Sequence, residues 1–563
     1  MTKVQKFLGV SFLFAFWAIL IVSEAVLAEE GAAINPVSAS IEALLAAGKH
    51  PRLRWGSFPD FQARLNELYK QNAMAPLWFK GGKPTSQAIT MAASLDGADE
   101  QGLNSADYDA DLLSKWLKAP ELGATNPQEV ASFDVALSLS AMRYLSNLYL
   151  GRVNPRAVGF QIDVAAKKLD LPAVLLKISQ SGRPKASIDE LEPKVPIYGA
   201  LKTLLAQYRA LAKDAPVPKF SFPAKFGPGG QSKDVPALRR LLVTLGDLKE
   251  IKPGAEASEV YDPELVEAVK NFQRRHGQHP DGVIGKGTVA RLNVPIADRV
   301  KQIQLGMERL RWFPDGAKGL YLIVNIPSFQ LYGSRGGEGF GHHDLEMNVI
   351  VGESKNGHNT PVFHSDMTYV IFRPYWNVPD TIATKELIPA IQRNPGYLAR
   401  NNMELVSNYS NSAKTQAPTA ANLARLASGG LKIRQKPGPH NALGLVKFTF
   451  PNENNVYLHS TPTKGLFQGE RRDFSHGCIR VQDTARLAEW VLTEQPEWTR
   501  PQIEAAMAAQ TPKTVTLKQP IPVYIFYSTV FADKDGRVNF YEDIYGHDKA
   551  LGALLAKGFP YPI

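Results

Sequence analysis

The chain has 563 residues, 44% of them apolar, a formal net charge of +10 and a single cysteine. That length holds about three or four domains, each with its own core, and the apolar fraction excludes a chain disordered throughout. One cysteine excludes disulfides within the chain and thiolate-rich zinc sites. The basic residues are scattered in pairs such as Arg239-Arg240 and Arg471-Arg472, which is the pattern of a solvated surface, so no nucleic acid is expected as a partner.

Met1 to Ala28 reads as a secretory signal: Lys3 and Lys6 lead, an apolar run spans Phe7 to Val22, and Val26-Leu27-Ala28 precedes Glu29-Glu30. The run is shorter than the roughly 20 residues a spanning helix needs. Cleavage is therefore the first expectation and retention as an N-terminal anchor the second, with a membrane touched only through this segment. No cysteine follows it, which excludes a lipid-anchored lipoprotein. A lone thiol in an oxidising space is at risk of oxidation, so its presence points to chemistry rather than to stapling.

From residue 41 to about 216, helix-period patterns dominate, as in Phe61, Leu65, Leu68 and Tyr69 and again in Val135, Leu139, Met142, Leu145 and Leu148. A helical scaffold domain without a catalytic constellation is predicted. Pro216 to Gly230 reads as a linker. In 230–296, Asp234 is the expected cap of a helix carrying Leu238, Leu241 and Leu242, and a second helix carries Leu265, Val269 and Phe272. Asp281-Gly282 through Thr288 opens a third. With Phe272-Gln273-Arg274-Arg275-His276-Gly277, this unit resembles the three-helix peptidoglycan-binding module, and the resemblance implies peptidoglycan glycan as a partner.

From Tyr321 the periodicity changes to two. Leu320 to Ile326, Phe329 to Tyr332, Leu345 to Val351, Val370 to Phe372 and Lys447 to Phe450 are predicted strands. His342-His343-Asp344 suggests a metal, but adjacent side chains point apart in an extended chain and no further ligand cluster accompanies them. No metal and no cofactor are expected. The stretch from about 382 to 444 carries helical patterns around Leu387, Ile388 and Ile391 and is the candidate lid. Asp483 caps a helix burying Leu487, Trp490 and Val491. Residues 301–515 are taken as one domain and 516–563 as a C-terminal segment, in which Tyr541 to Gly546 is a closing segment to which the sequence assigns no chemistry.

The informative stretch is Val456 to Val481. Alternation puts Tyr457 and His459 on one face of a strand, and nineteen positions later comes Cys478, preceded by the permissive Gly477. A free thiol is mostly protonated at neutral pH, so nucleophilic work needs a base and a positive neighbour, for which His459 and Arg480 are the candidates. His459, fifteen intervening residues, then Ser475-His476-Gly477-Cys478-Ile479-Arg480, resembles the signature of the YkuD-type L,D-transpeptidases. Wider similarity is to the YcbB subgroup, in Pro374 to Pro379 and Arg434 to Pro439. Arg480 stands where many relatives have asparagine.

The resemblance implies a multidomain α+β protein: a helical N-terminal domain, the three-helix module, and a β-sandwich catalytic domain with a helical lid insertion. It implies a periplasmic enzyme that cleaves peptidoglycan stems after the third residue, releases D-alanine and passes the acyl group to a neighbouring stem, forming 3-3 cross-links. Stem peptides are thus expected as donor and acceptor, and carbapenems as inactivators. Water as acceptor, giving an L,D-carboxypeptidase, and a non-catalytic wall-binding scaffold are the alternatives. Cys478 is the expected nucleophile and His459 the base, with Gly477 and Cys478 amides and Tyr457 at the oxyanion and Ser460 or a carbonyl orienting His459. Ser475 and His476 shape the turn, while Arg480, Trp376 and Asn377 are candidates for substrate contact.

Overall fold

The computed structural model describes residues 35–119, 126–213, 219–314, 319–336, 343–410, 412–532 and 537–561. The predicted signal segment 1–28 and His342 lie outside these residues. No described helix is long and apolar enough to cross a membrane.

The N-terminal domain is built around the helix Pro127–Leu150. Asn126 accepts a hydrogen bond from the Glu129 amide, and Pro127 occupies the first turn, where its missing N–H costs nothing. This helix is buried on nearly all sides, with Ile41, Leu65, Trp78, Met91 and Leu113 around it. Its one buried carboxylate, Asp134, is satisfied by the Tyr69 hydroxyl and the amides of Leu77 and Trp78. The last helix assigned to this domain, Pro196–Leu211, departs from it. Leu201 and Leu205 pack with Ile303 and Met307 of helix Ile296–Leu310 against the large sheet.

The small unit has the expected three helices, Val235–Thr244, Pro263–Arg275 and Lys286–Leu292, around Leu242, Leu265, Val269 and Phe272. Gln273 explains the motif: its amide nitrogen donates to Asp281 and to the Val283 carbonyl, and its oxygen accepts from the Gly282 amide. Asp234 does not cap its helix; its carboxylate accepts from the Ser221 amide at 3.0 Å and ties down the linker instead.

The large sheet comprises β1 (Tyr321–Asn325), β2 (Gln330–Ser334), β3 (Leu345–Gly352), β4 (Phe363–Phe372), β5 (Val446–Thr449), β6 (Leu458–His459), β7 (Asp473–Ser475), β8 (Ile479–Val481) and β9 (Lys513–Phe526). Its order is β7-β3-β8-β6-β5-β4-β9-β1-β2, and β2 also pairs with β3. The two layers of the expected sandwich are therefore opposite walls of one sheet that closes on itself. Alternate residues such as Val324, Leu331, Val349, Val370, Phe448, Leu458, Ile479 and Val523 fill the interior, joined by Leu487 and Trp490 from helix Thr484–Val491. Asp483 caps that helix through the Arg486 amide.

Two expected boundaries move. The C-terminal limit at 515 would cut β9, which runs through Pro520 and Pro522 and pairs with β4 on one side and β1 on the other, with an irregularity between Thr516 and Ile521. Pro520 falls within that irregularity, where a residue without an N–H is tolerated. Residues beyond it belong to the fold, and the Tyr561 hydroxyl reaches back to Asp107 of the N-terminal domain.

The insert is not purely helical and starts before 382. Thr415–Gln416, Met403–Val406, Lys432–Gln435 and Trp376–Asn377 form a four-stranded sheet in that order, with Leu387, Ile391 and Leu405 in a core of its own. Strands of two to four residues are too short to leave a period in the sequence. At its base, the buried Asn441 amide donates to the carbonyls of Pro374, Gln435 and Lys436, clipping the departing and returning chain together.

Candidate active site

Parallel pairing of β6 with β8 sets Leu458 beside Ile479 and His459 beside Arg480. Leu458 and Ile479 go into the core, so His459 and Arg480 face outward. On the other side Lys447 of β5 is the register partner of His459. The outer face thus carries a row Lys447, His459, Arg480. One residue pair back, roughly 6.6 Å along the strands, stand Tyr457 and Cys478.

The turn that presents Cys478 needs Gly477, whose φ of +113° is closed to other residues without strain. Ser475 Oγ donates to the Cys478 carbonyl at 2.5 Å and accepts from the Gly477 amide at 3.2 Å. Thr360 Oγ1 donates to the Gly477 carbonyl at 2.8 Å, and the Tyr545 hydroxyl braces the same place by donating to the Gly352 carbonyl at 2.6 Å. The Gly477 amide, one of the two expected oxyanion donors, is thus bonded to Ser475.

Burial pushes the Cys478 thiol above its ordinary pKa, opposed by the Tyr457 amide and hydroxyl, Lys447 and Arg480. Its sulfur lies 3.6 Å from the Asn455 carbonyl, to which the S–H donates. His459 is held neutral: burial first, then the charges of Arg480 and Lys447, lower it to about 3. Its Nδ1–H donates to the Ser460 carbonyl at 2.5 Å, which leaves Nε2 as a lone-pair acceptor. The backbone oxygen of Ser460, not its hydroxyl, orients the ring.

Lys447 and Arg480 are both half-buried, and neither forms an ion pair with a carboxylate among the described residues. Lys447 Nζ sits 4.0 Å from the centre of the Tyr457 ring. Burial lowers the pKa of each cation, and proximity to Cys478 raises it. Burial pushes the Tyr457 hydroxyl well up, Cys478 adds to this, and the neighbouring Trp376 opposes it. Trp376 thus belongs to the site. Asn377 is exposed on the edge strand of the insert, and its side chain makes no hydrogen bond among the described residues.

His476 does more than shape a turn. It is exposed, lies against the His358 ring at a tilt with ring centres 4.6 Å apart, and its Nε2–H donates to Glu386 of the insert at 3.1 Å. Glu386 lies in a π-helical turn, Ala383–Leu387, a distortion often found at functional sites. Sequence reasoning missed Lys447, Thr360, Tyr545 and Glu386. Only Lys447 left a signal, as a charge between the buried Val446 and Phe448 of a short strand. His343 packs at a tilt against Tyr332, and Asp344 pairs with Arg335 and accepts from Trp490, so both are occupied in packing.

Comparison with known families matches residues 319–523 to an L,D-transpeptidase catalytic domain, 231–292 to a domain described as "Putative peptidoglycan binding domain" and 63–205 to a scaffold domain. The chain therefore carries an L,D-transpeptidase catalytic domain together with a peptidoglycan-binding domain. A Haemophilus influenzae protein named "Putative L,D-transpeptidase" is 31% identical over 252 residues, 45% of this chain and 49% of that one. The chain thus spans about half the length of this curated relative. Crystal structures of L,D-transpeptidases from Stackebrandtia nassauensis and Xylanimonas cellulosilytica are 14% and 15% identical. They cover 57% and 55% of this chain and all of their own, with TM-scores of 0.22 and 0.17, too low to carry weight.

Proposed function

We propose that the chain is a periplasmic L,D-transpeptidase of the YcbB subgroup that forms 3-3 cross-links between peptidoglycan stems through a Cys478 thioester. The observation that carries this is the juxtaposition of a turn-mounted thiol, a neutral imidazole whose Nδ1–H is held by the Ser460 carbonyl and two cations without carboxylate partners among the described residues, all within residues 319–523.

Thiol and imidazole are both uncharged at rest, so proton transfer accompanies attack. Rotation of Cys478 away from the Asn455 carbonyl turns its S–H toward His459 Nε2. Sulfur bonds to the carbonyl carbon of the third stem residue as Nε2 takes the proton. The Cys478 amide and the Tyr457 hydroxyl receive the oxyanion; loss of one such donor typically costs ~10²–10³ in rate. The C–N bond then breaks, His459 returns the proton to the leaving D-alanine amine, and a thioester remains. A stem amine attacks the thioester carbonyl, its proton passes through His459, and the C–S bond breaks to regenerate the thiol. Lys447 and Arg480 stabilise the sulfur whenever it is anionic.

Cys478→Ala is expected to abolish both D-alanine release from a tetrapeptide stem and the one-equivalent mass gain after meropenem. Release at the parental rate by that variant would overturn the mechanism. Free tripeptide with no cross-linked dimer would assign water as the acceptor.

A further inference from the structure

The Gly477 carbonyl and the Cys478 amide are the two ends of one planar, trans peptide group, so whatever holds the carbonyl fixes the direction of the N–H on the opposite side. The carbonyl is held by Thr360, which is 1% exposed and whose Oγ1 donates to it at 2.8 Å. Thr360 is itself pinned at two points. Its Oγ1 accepts from the Gly352 amide at 2.8 Å, and its own amide donates to the Tyr545 hydroxyl at 3.2 Å. That hydroxyl donates in turn to the Gly352 carbonyl at 2.6 Å, so one phenol closes the loop that runs from Gly352 to Thr360. The loop is tight enough that a Cβ on Gly352 would lie 1.9 Å from the His358 carbonyl oxygen. Tyr545 lies outside residues 319–523, in the closing segment to which the sequence assigns no chemistry. Burial pushes its hydroxyl up to about 12, so it stays a protonated donor across the neutral range. It is anchored from behind: its ring stacks on Tyr527 at 5.8 Å, its amide donates to the Tyr527 hydroxyl at 3.0 Å, and that hydroxyl donates to Asp543 at 2.6 Å. Asp543 also accepts from the Asp548 and Lys549 amides, and Asp548 pairs with Arg309 of helix Ile296–Leu310.

We infer that Thr360 and Tyr545 are positioning residues for acyl transfer, which fix the Cys478 N–H as an oxyanion donor by gripping the far end of its peptide group. The inference rests on the acyl-transfer reading proposed above. Two effects act together. The peptide plane cannot turn without breaking the Thr360 bond, and a carbonyl that accepts a hydrogen bond polarises the N–H at the other end of the same group. The polar and charged groups that act on the thiol's ionisation are others, Tyr457, Lys447 and Arg480. Geometry of the oxyanion donor and reactivity of the sulfur are therefore set by separate side chains, and an experiment can pull them apart.

The test is D-alanine release from a tetrapeptide stem by the full-length protein, set beside iodoacetamide alkylation of Cys478, a displacement that forms no oxyanion. Thr360→Val keeps the shape and loses the hydroxyl; it is expected to lower kcat about 10²-fold with KM unchanged, and Tyr545→Phe about tenfold. Thr360→Ser, which keeps the donor, should stay within about twofold of the parent, and alkylation should stay within about twofold in all three variants. Tyr545→Phe leaves the ring on Tyr527 and carries the test if Thr360→Val does not fold. Parental kcat in either of these two variants, a loss in Thr360→Ser equal to that in Thr360→Val, or alkylation that slows in step with turnover overturns the positioning role. A parent protein that releases no D-alanine yet is acylated by meropenem, with that acylation slowed by the same variants, overturns the stem reading and leaves the positioning role standing.

Discussion

The catalytic sheet makes two junctions of opposite character. Toward the helical domain, Glu308 is fully buried between Arg152 at 3.1 Å and Arg311 at 2.9 Å, and Arg311 goes on to the Tyr198 hydroxyl and the Gln101 carbonyl. Toward the insert, the thiol's own turn is touched by His476 on Glu386, with the two side chains 44% and 50% exposed. A buried charged joint cannot be opened without stranding ions in a low-dielectric interior. An exposed pair can be exchanged for water at little cost. One junction therefore resists separation, and the other can be broken at little cost.

The largest effect follows from breaking the first. Burial pushes the Glu308 carboxyl up, but the two arginines outweigh it and hold it below the ordinary range. Glu308→Gln is expected to cost about 3–5 kcal/mol in urea unfolding. Because its folded pKa is depressed, the stabilisation it provides is present above about pH 4.3 and is lost as pH falls through the folded value. A loss under ~1 kcal/mol would show that the joint is not the clamp described.

Between the junctions sits the thiol. Lys447→Met is expected to slow iodoacetamide alkylation of Cys478 about tenfold at neutral pH and to move its pH profile upward, with Lys447→Arg restoring it. In the parent protein the imidazole should stay neutral well below its ordinary 6.5, toward about 3, which NMR titration of His459 would read. An unchanged profile in Lys447→Met would remove this lysine from the chemistry.

The smallest effect belongs to the second junction. Glu386→Gln should change stability by roughly 0–1 kcal/mol while raising the rate of meropenem acylation a few-fold, read by stopped flow. A large stability loss there would erase the contrast between the two joints.

Much of this arrangement was legible in the sequence where side chains repeat or turn. Tyr457 and His459 alternate on a strand, and Gly477 marks the backbone conformation that Cys478 needs. The module's Gln273 and Gly282 are conspicuous because a single side chain holds both ends of its loop. What escaped was long-range. Thr360 and Tyr545 meet the Ser475–Cys478 turn only after folding, from 117 residues away in the case of Thr360 and Gly477. Ser475 diverting the Gly477 amide is likewise a matter of geometry, since either residue alone is compatible with an oxyanion hole. The short strands of the insert owe their existence to pairing partners rather than to a periodic pattern.

Closure of the large sheet through β2 and β3 limits how any peptide can be read. Where the strands of the ring are paired their backbone donors and acceptors are taken, so a bound peptide cannot extend the sheet there as an additional strand. At the paired strands, discrimination between peptides then falls to side chains projecting off the wall and to the insert above it. Specificity can therefore drift by point substitution at positions such as Lys447 or Trp376 while the barrel beneath remains untouched.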